Sequence, residues 1–176
     1  MKILVFSDFH GSLQGVQLAA RLTQELQPYA VAICGDIFGG FSHSEQIAQV
    51  IKGLDAVTYL IQGNNDRFYD SPLLGCNLQD YEVTYKFSRT LFFTHGHKYN
   101  GYKVPPILGK GDVLVYGHTH VGRIWRNERG IILFNVGSLS QPRDGTPCYG
   151  LLDDDGLALC SSDKTELLRK HWTDFD

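Results

Sequence analysis

Five short stretches of this 176-residue chain end an apolar run on side chains able to hold a metal cation. Ser7-Asp8-Phe9-His10-Gly11 follows Ile3 to Phe6, Gly35-Asp36 follows Ala30 to Cys34, and Gly63-Asn64-Asn65-Asp66 follows Ala56 to Ile61. His95-Gly96-His97 follows Thr90 to Thr94, and Gly117-His118-Thr119-His120 follows Val113 to Tyr116. Asp8, His10, Asp36, Asn64, His95, His118 and His120 are therefore the candidate ligands. They offer carboxylate, amide and imidazole donors with no thiolate, a set suited to hard or borderline divalent cations. Each stretch alone has a plainer reading as a helix cap, an Asx turn or a surface imidazole. Five coincidences of residue type and strand-end position do not, and together they point to metal-assisted chemistry.

The elements that must position these residues are legible around them. The unbroken run Ile3 to Phe6 predicts a strand covered on both faces. Asp8 and His10, two residues apart, would point to one side if the backbone stayed extended. Ser12 is the expected N-cap of a helix with Leu18, Ala19, Leu22 and Leu26 on one face, stopped by Pro28. Ala30 to Cys34 is a second buried strand. Ser42-His43-Ser44-Glu45 has capping-box spacing before a short helix carrying Ile47, Val50 and Ile51, and Ala56 to Ile61 is a third strand. This β-α-β-α-β order predicts a parallel sheet with right-handed crossovers and ligands at the carboxyl ends of its strands.

The second half reads differently. Glu82 to Phe87 and Thr90 to Thr94 flank Ser88-Arg89 as a hairpin, and Val121 to Arg126 with Ile131 to Phe134 makes another. Tyr149 to Leu152 and Leu157 to Cys160 are expected to close the chain as a third. The fold class predicted is α/β, with two mixed β-sheets packed as a sandwich and helices outside, in a single domain over residues 1–176.

Composition narrows the function. A net charge of -3 leaves no basic face of the kind that binds nucleic acid non-specifically. The first apolar run breaks at Asp8 and no later run approaches membrane-spanning length, so a cytoplasmic protein without membrane contact is expected. Cys34, Cys76, Cys148 and Cys160 have no C-x-x-C spacing and read as buried apolar residues or free thiols.

At these residues the chain resembles the calcineurin-like metallophosphoesterases. Asp8-x-His10, Gly35-Asp36, Gly63-Asn64-x-Asp66, His95-Gly96-His97 and Gly117-His118-x-His120 match the family's five motifs in order, over roughly Ile3 to Leu152. The short length and Asn135-x-Gly137-Ser138 are most similar to the small bacterial YfcE-type phosphodiesterases. The resemblance implies a dinuclear centre bridged by Asp36. Asp8, His10 and His120 would complete one ion, and Asn64, His95 and His118 the other. It implies two divalent ions, manganese foremost, with iron, zinc, nickel or cobalt as alternatives. A homo-oligomer is compatible with the resemblance. A non-catalytic relative of this fold, the small retromer subunit, offers the rival reading of a binding scaffold, but here no ligand position is lost.

The reaction implied is hydrolysis of a small phosphodiester. Two divalent ions less the charges of Asp8 and Asp36 leave two positive charges, which lower the pKa of a bound water toward ~7 and attract a diester monoanion. His97 would orient a phosphate oxygen, protonate the leaving group or support a ligand, and the sequence leaves these alternatives open. Many family members place a His after the ligating Asn, where it acts as an acid. Asn65 cannot, so aryl diesters should outpace monoesters, and Asn65→His is expected to narrow the gap. Phe38, Phe41, Tyr69, Tyr99 and Tyr102 are loop aromatics that would pack on the sheets or stack on a substrate ring.

Overall fold

The structure, a computed structural model, describes residues 1–39 and 43–175. Its first half runs β1 (Lys2–Phe6), α1 (Leu13–Leu26), β2 (Ala30–Cys34), α2 (Ser44–Lys52) and β3 (Val57–Ile61). β1 pairs with β2 and β2 with β3, both in parallel, as the alternation predicts. The Ser12 hydroxyl caps α1 by accepting from the Gly15 N–H at 3.1 Å, and Gln27 ends it in a left-handed conformation before Pro28. The buried face of α1 is Val16, Ala19, Leu22 and Thr23, so Leu18 and Leu26 flank the contact rather than centre it. The capping box falls on Ser42, which lies outside the described residues.

The remaining strands are β4 (Tyr81–Lys86), β5 (Arg89–Thr94), β6 (Val113–Tyr116), β7 (Gly122–Arg126), β8 (Ile132–Val136), β9 (Tyr149–Asp153), β10 (Gly156–Cys160) and β11 (Glu166–His171). A single helical turn, α3 (Ser71–Leu74), precedes β4. One sheet has the order β11-β10-β9-β1-β2-β3 and the other β4-β5-β6-β8-β7, and both mix parallel with antiparallel pairs. Two details depart from the sequence reading. The β4–β5 turn is Phe87-Ser88, both at positive φ (55° and 57°), one residue earlier than expected. That is the twist a two-residue hairpin turn requires. The β9–β10 hairpin is also followed by β11 and a 3-10 turn (Trp172–Phe175), with Arg169 of β11 bonded through two nitrogens to Asp153 at 3.0 and 2.9 Å. Its sequence, Glu-Leu-Leu-Arg-Lys-His, has no alternation to announce a strand.

The sheets face each other across a layer containing Ile3, Val5, Ala32, Phe93, Val115 and Phe134. A second layer lies beneath α1 and α2 on the outer face of the β1-containing sheet. Among the described residues, the α-helices α1 and α2 cover that side. The outer face of the other sheet is covered by the segment 97–111, where Leu108, Tyr99 and Val104 pack on Phe92, Leu114 and Leu133. The carboxyl ends of β1, β2, β3, β5 and β6 are therefore left open along one edge, and the five polar stretches leave from there.

Candidate metal centre

The backbone turns sharply at these strand ends. Asp8, His10, Asp36, His118 and His120 all have positive φ, between 47° and 67°, which is uncommon outside glycine. Asp8 and His10 thus do not converge through extended backbone as expected. Left-handed turns aim them instead, and the surrounding loops impose those turns. The Asp8 and His10 N–H groups donate to the carbonyls of Gly35 and Asp36 at 3.0 and 2.8 Å, which ties the first loop to the second. The Ser138 hydroxyl donates to the Asp8 carbonyl at 2.9 Å. Gly63 lets the third loop approach, since a Cβ there would lie 2.1 Å from both the Asp36 nitrogen and its Oδ1.

Two clusters of donors result. In one, His10 Nε2 lies 3.1 Å from His120 Nε2, and His120 Nε2 lies 3.4 Å from Asp8 Oδ1. In the other, His95 Nε2 lies 3.0 Å from Asn64 Oδ1, 3.2 Å from His118 Nδ1 and 3.4 Å from Asp36 Oδ2. Asp36 Oδ2 also stands 3.5 Å from His10 Nε2, so one carboxylate reaches both clusters. Asp8, Asp36 and His95 form the buried floor, while His10 and His118 are part-exposed and Asn64 is exposed.

The polar atoms fit a cation better than they fit one another. The His120 ring is turned so that Nδ1 donates to the Gln141 carbonyl at 2.6 Å, which leaves Nε2 as a lone pair aimed at His10. Asp8 Oδ1 is buried without a hydrogen-bond partner among the described residues, while its Oδ2 accepts from the His118 N–H at 2.8 Å. A buried carboxylate oxygen facing two imidazole nitrogens is costly unless something positive lies between them. The electrostatics agree. Burial pushes the Asp36 carboxyl up, but the His95 imidazole and the two Asn65 donors outweigh it and hold it well below the usual range. Burial pulls His95 down, yet Asp36 and Asp8 raise it above its ordinary value. Burial lowers His10 and His118, keeping both rings neutral and able to donate a lone pair.

Sequence reasoning missed several supporting residues. Asn65, noted only as the place where an acid is absent, grips Asp36 with its backbone N–H on Oδ1 at 2.8 Å and its side-chain amide on Oδ2 at 2.7 Å. Asn65→His would remove that side-chain grip, so the expectation that it improves monoester hydrolysis no longer follows. The Cys34 carbonyl accepts from His95 Nδ1 at 2.8 Å and fixes its ring. His97 stands beside the clusters, its ring 5.4 Å from His95 and 6.5 Å from His118, with Nδ1 buried and unpartnered among the described residues. Among the loop aromatics, Phe38 is buried in the core and Tyr99 packs edge-on against Phe92. Tyr69 and Tyr102 are exposed, and Phe41 lies outside the described residues.

Asp66 organises the third loop. Its carboxylate accepts from the Phe38 and Gly63 N–H groups at 2.9 and 2.8 Å, while burial pushes its pKa up to about 6. Asp66→Asn would set an amide NH₂ against one of those donors, a cost of about 1 to 3 kcal/mol for one buried unsatisfied group. Scanning calorimetry should show the melting temperature lower by roughly 2 to 12 °C, and an unchanged melting curve would refute the assignment.

This geometry has relatives. Residues 1–156 match the calcineurin-like phosphoesterase superfamily domain. The phosphodiesterase YfcE of Escherichia coli is 34% identical over 170 residues, covering 90% of this chain and 91% of that protein. The solved structure of YfcE, a phosphoesterase from Escherichia coli, superposes with a TM-score of 0.88 at 28% identity, covering 97% of this chain and 99% of that one. A phosphodiesterase of Methanocaldococcus jannaschii is 26% identical over 162 residues, covering 88% of this chain and 94% of that protein. With its five strand-end stretches gathered into one paired cluster of donors, this chain belongs to the calcineurin-like phosphoesterase superfamily.

Proposed function

We propose that this protein is a metal-dependent phosphodiesterase acting on small diesters. The observation that carries the reading is Asp36, whose one carboxylate oxygen lies 3.5 Å from His10 and 3.4 Å from His95 and so joins the two donor clusters. Asp8, His10, Asp36 and His120 would hold one divalent ion, and Asp36, Asn64, His95 and His118 the other. An all-oxygen-and-nitrogen donor set admits manganese, iron, zinc, nickel and cobalt alike, and the family resemblance puts manganese first among them. Bound there, the ions would supply a hydrolytic water of lowered pKa and a positive field for the substrate.

The protein's own groups do the rest. Asn65 and the Cys34 and Gln141 carbonyls hold Asp36, His95 and His120 in the orientations in which their lone pairs converge. His97, half-buried beside His95 and His118, is the neighbouring imidazole able to orient a phosphate oxygen or pass a proton. Burial, then His95, lowers its pKa, so it stands neutral near neutral pH. The free thiols of all four cysteines support a cytoplasmic location.

With its amide spent on Asp36, Asn65 supplies no acid at the position after Asn64 to protonate a departing alkoxide. General-acid assistance is typically worth about 10²- to 10⁴-fold, and diesters with an aryl leaving group need it least. Bis(p-nitrophenyl) phosphate is therefore expected to turn over markedly faster than p-nitrophenyl phosphate. Steady-state rates on the manganese-loaded protein test this, and a preference for the monoester would overturn it.

A further inference from the structure

A cleft of about 480 Å³ opens beside His118 on the outer face of the second sheet. Its floor is a row across three strands, since Tyr116 on β6 lies in register with Asn135 on β8, and Asn135 with Arg123 on β7. Trp125 lies two residues along from Arg123, and Tyr102 and Val121 also line the cleft. The volume lies in the range of small-molecule sites, and the walls combine aromatic rings with a few amides, as such sites do. No carboxylate lines it. At Gly101 the covering loop touches the floor, where a Cβ would come within 3.0 Å of the Trp125 ring.

Arg123 is the unusual member. Its guanidinium stacks 4.9 Å from the Trp125 ring centre and, among the described residues, makes no hydrogen bond or ion pair. Stacking holds the plane of the fork while leaving its edge donors free, which is how arginine is presented to a phosphate. In a chain of net charge -3, an unspent cation in a carboxylate-free cleft is a specific anion position rather than part of a basic surface. The other end of the cleft is His118, a member of the proposed metal centre. Between the two lie aromatic rings.

From this juxtaposition we infer that the cleft binds the alcohol half of the substrate, and that this half is a nucleoside carrying a second phosphate. Its base stacks on the aromatic walls and its second phosphate pairs with Arg123. This rests on the phosphodiesterase reading, and it makes short nucleotide diesters the substrate class.

Binding to the full, manganese-loaded chain tests it apart from catalysis. The chain has two tryptophans, so a Trp172→Phe background leaves Trp125 as the sole reporter in the cleft. Titration with thymidine 3′,5′-bisphosphate should change its fluorescence saturably, with an affinity about tenfold or more above that for thymidine 5′-monophosphate. Adding Arg123→Ala should erase the difference, and Arg123→Lys should restore part of it. Equal affinity for the two nucleotides, a preference that survives Arg123→Ala, or no saturable change would each overturn the inference. Turnover of bis(p-nitrophenyl) phosphate measured alongside separates the two claims. Its absence would sink the diesterase reading, while the fluorescence comparison would still decide the cleft.

Discussion

Asp36→Asn is expected to cut phosphodiester turnover by more than ~100-fold, and more deeply than His97→Ala does. Losing a group that merely supports a metal ligand typically costs about 10- to 100-fold, and Asp36 places one carboxylate oxygen 3.5 Å from His10 and 3.4 Å from His95, one histidine of each donor cluster. The amide would keep the shape of the carboxylate but remove its charge. In either orientation it would also set its NH₂ against an Asn65 donor, since Asn65 donates to both carboxylate oxygens. His97 reaches neither cluster's centre, so its removal should leave measurable activity. The comparison is made at matched metal occupancy, determined by elemental analysis of each variant. Equal and total loss in both would promote His97 to an essential acid or phosphate clamp, and a fully active Asp36→Asn would remove the shared-ligand assignment.

The second large effect is on stability. Seven donors come from five loops, and five of them sit in left-handed backbone that the fold must hold without help from the residue's own preference. A metal that binds only the folded chain, at about a hundred times its dissociation constant, adds ~2.7 kcal/mol. For a chain of this length the melting temperature should fall by roughly 5 to 10 °C on exhaustive chelation and return when manganese is restored. A melting curve indifferent to both treatments would argue against the dinuclear centre.

The donors were legible in the sequence because their types are rare and their positions regular: each follows an apolar run, and the runs themselves announce strands. What escaped was whatever depends on contacts between distant segments. Asn65 reads as a missing acid until the Asp36 carboxylate is placed in its grip. The roles of the Cys34 and Gln141 carbonyls have no side-chain signature at all. β11 is hidden because an edge strand half in solvent needs no alternation, and its anchor, Asp153, reads as part of an acidic turn. The second sheet's outer cover has no periodic signal, since Tyr99, Val104 and Leu108 lie outside any strand or helix and serve as separate plugs.

Neither donor cluster belongs to one sheet. Asp8, His10, Asp36 and Asn64 leave the sheet built on β1, and His95, His118 and His120 leave the one built on β6, so the centre is a caliper whose jaws are the two halves of the sandwich. The gap it gauges is set by the interior beside it, through the thickness of the layer of Val5, Phe93 and Phe134. A methyl group gained or lost in that layer would tilt one jaw against the other. Inheritance should therefore guard these interior positions nearly as closely as the histidines, because drift in the filling is felt as wear in the instrument.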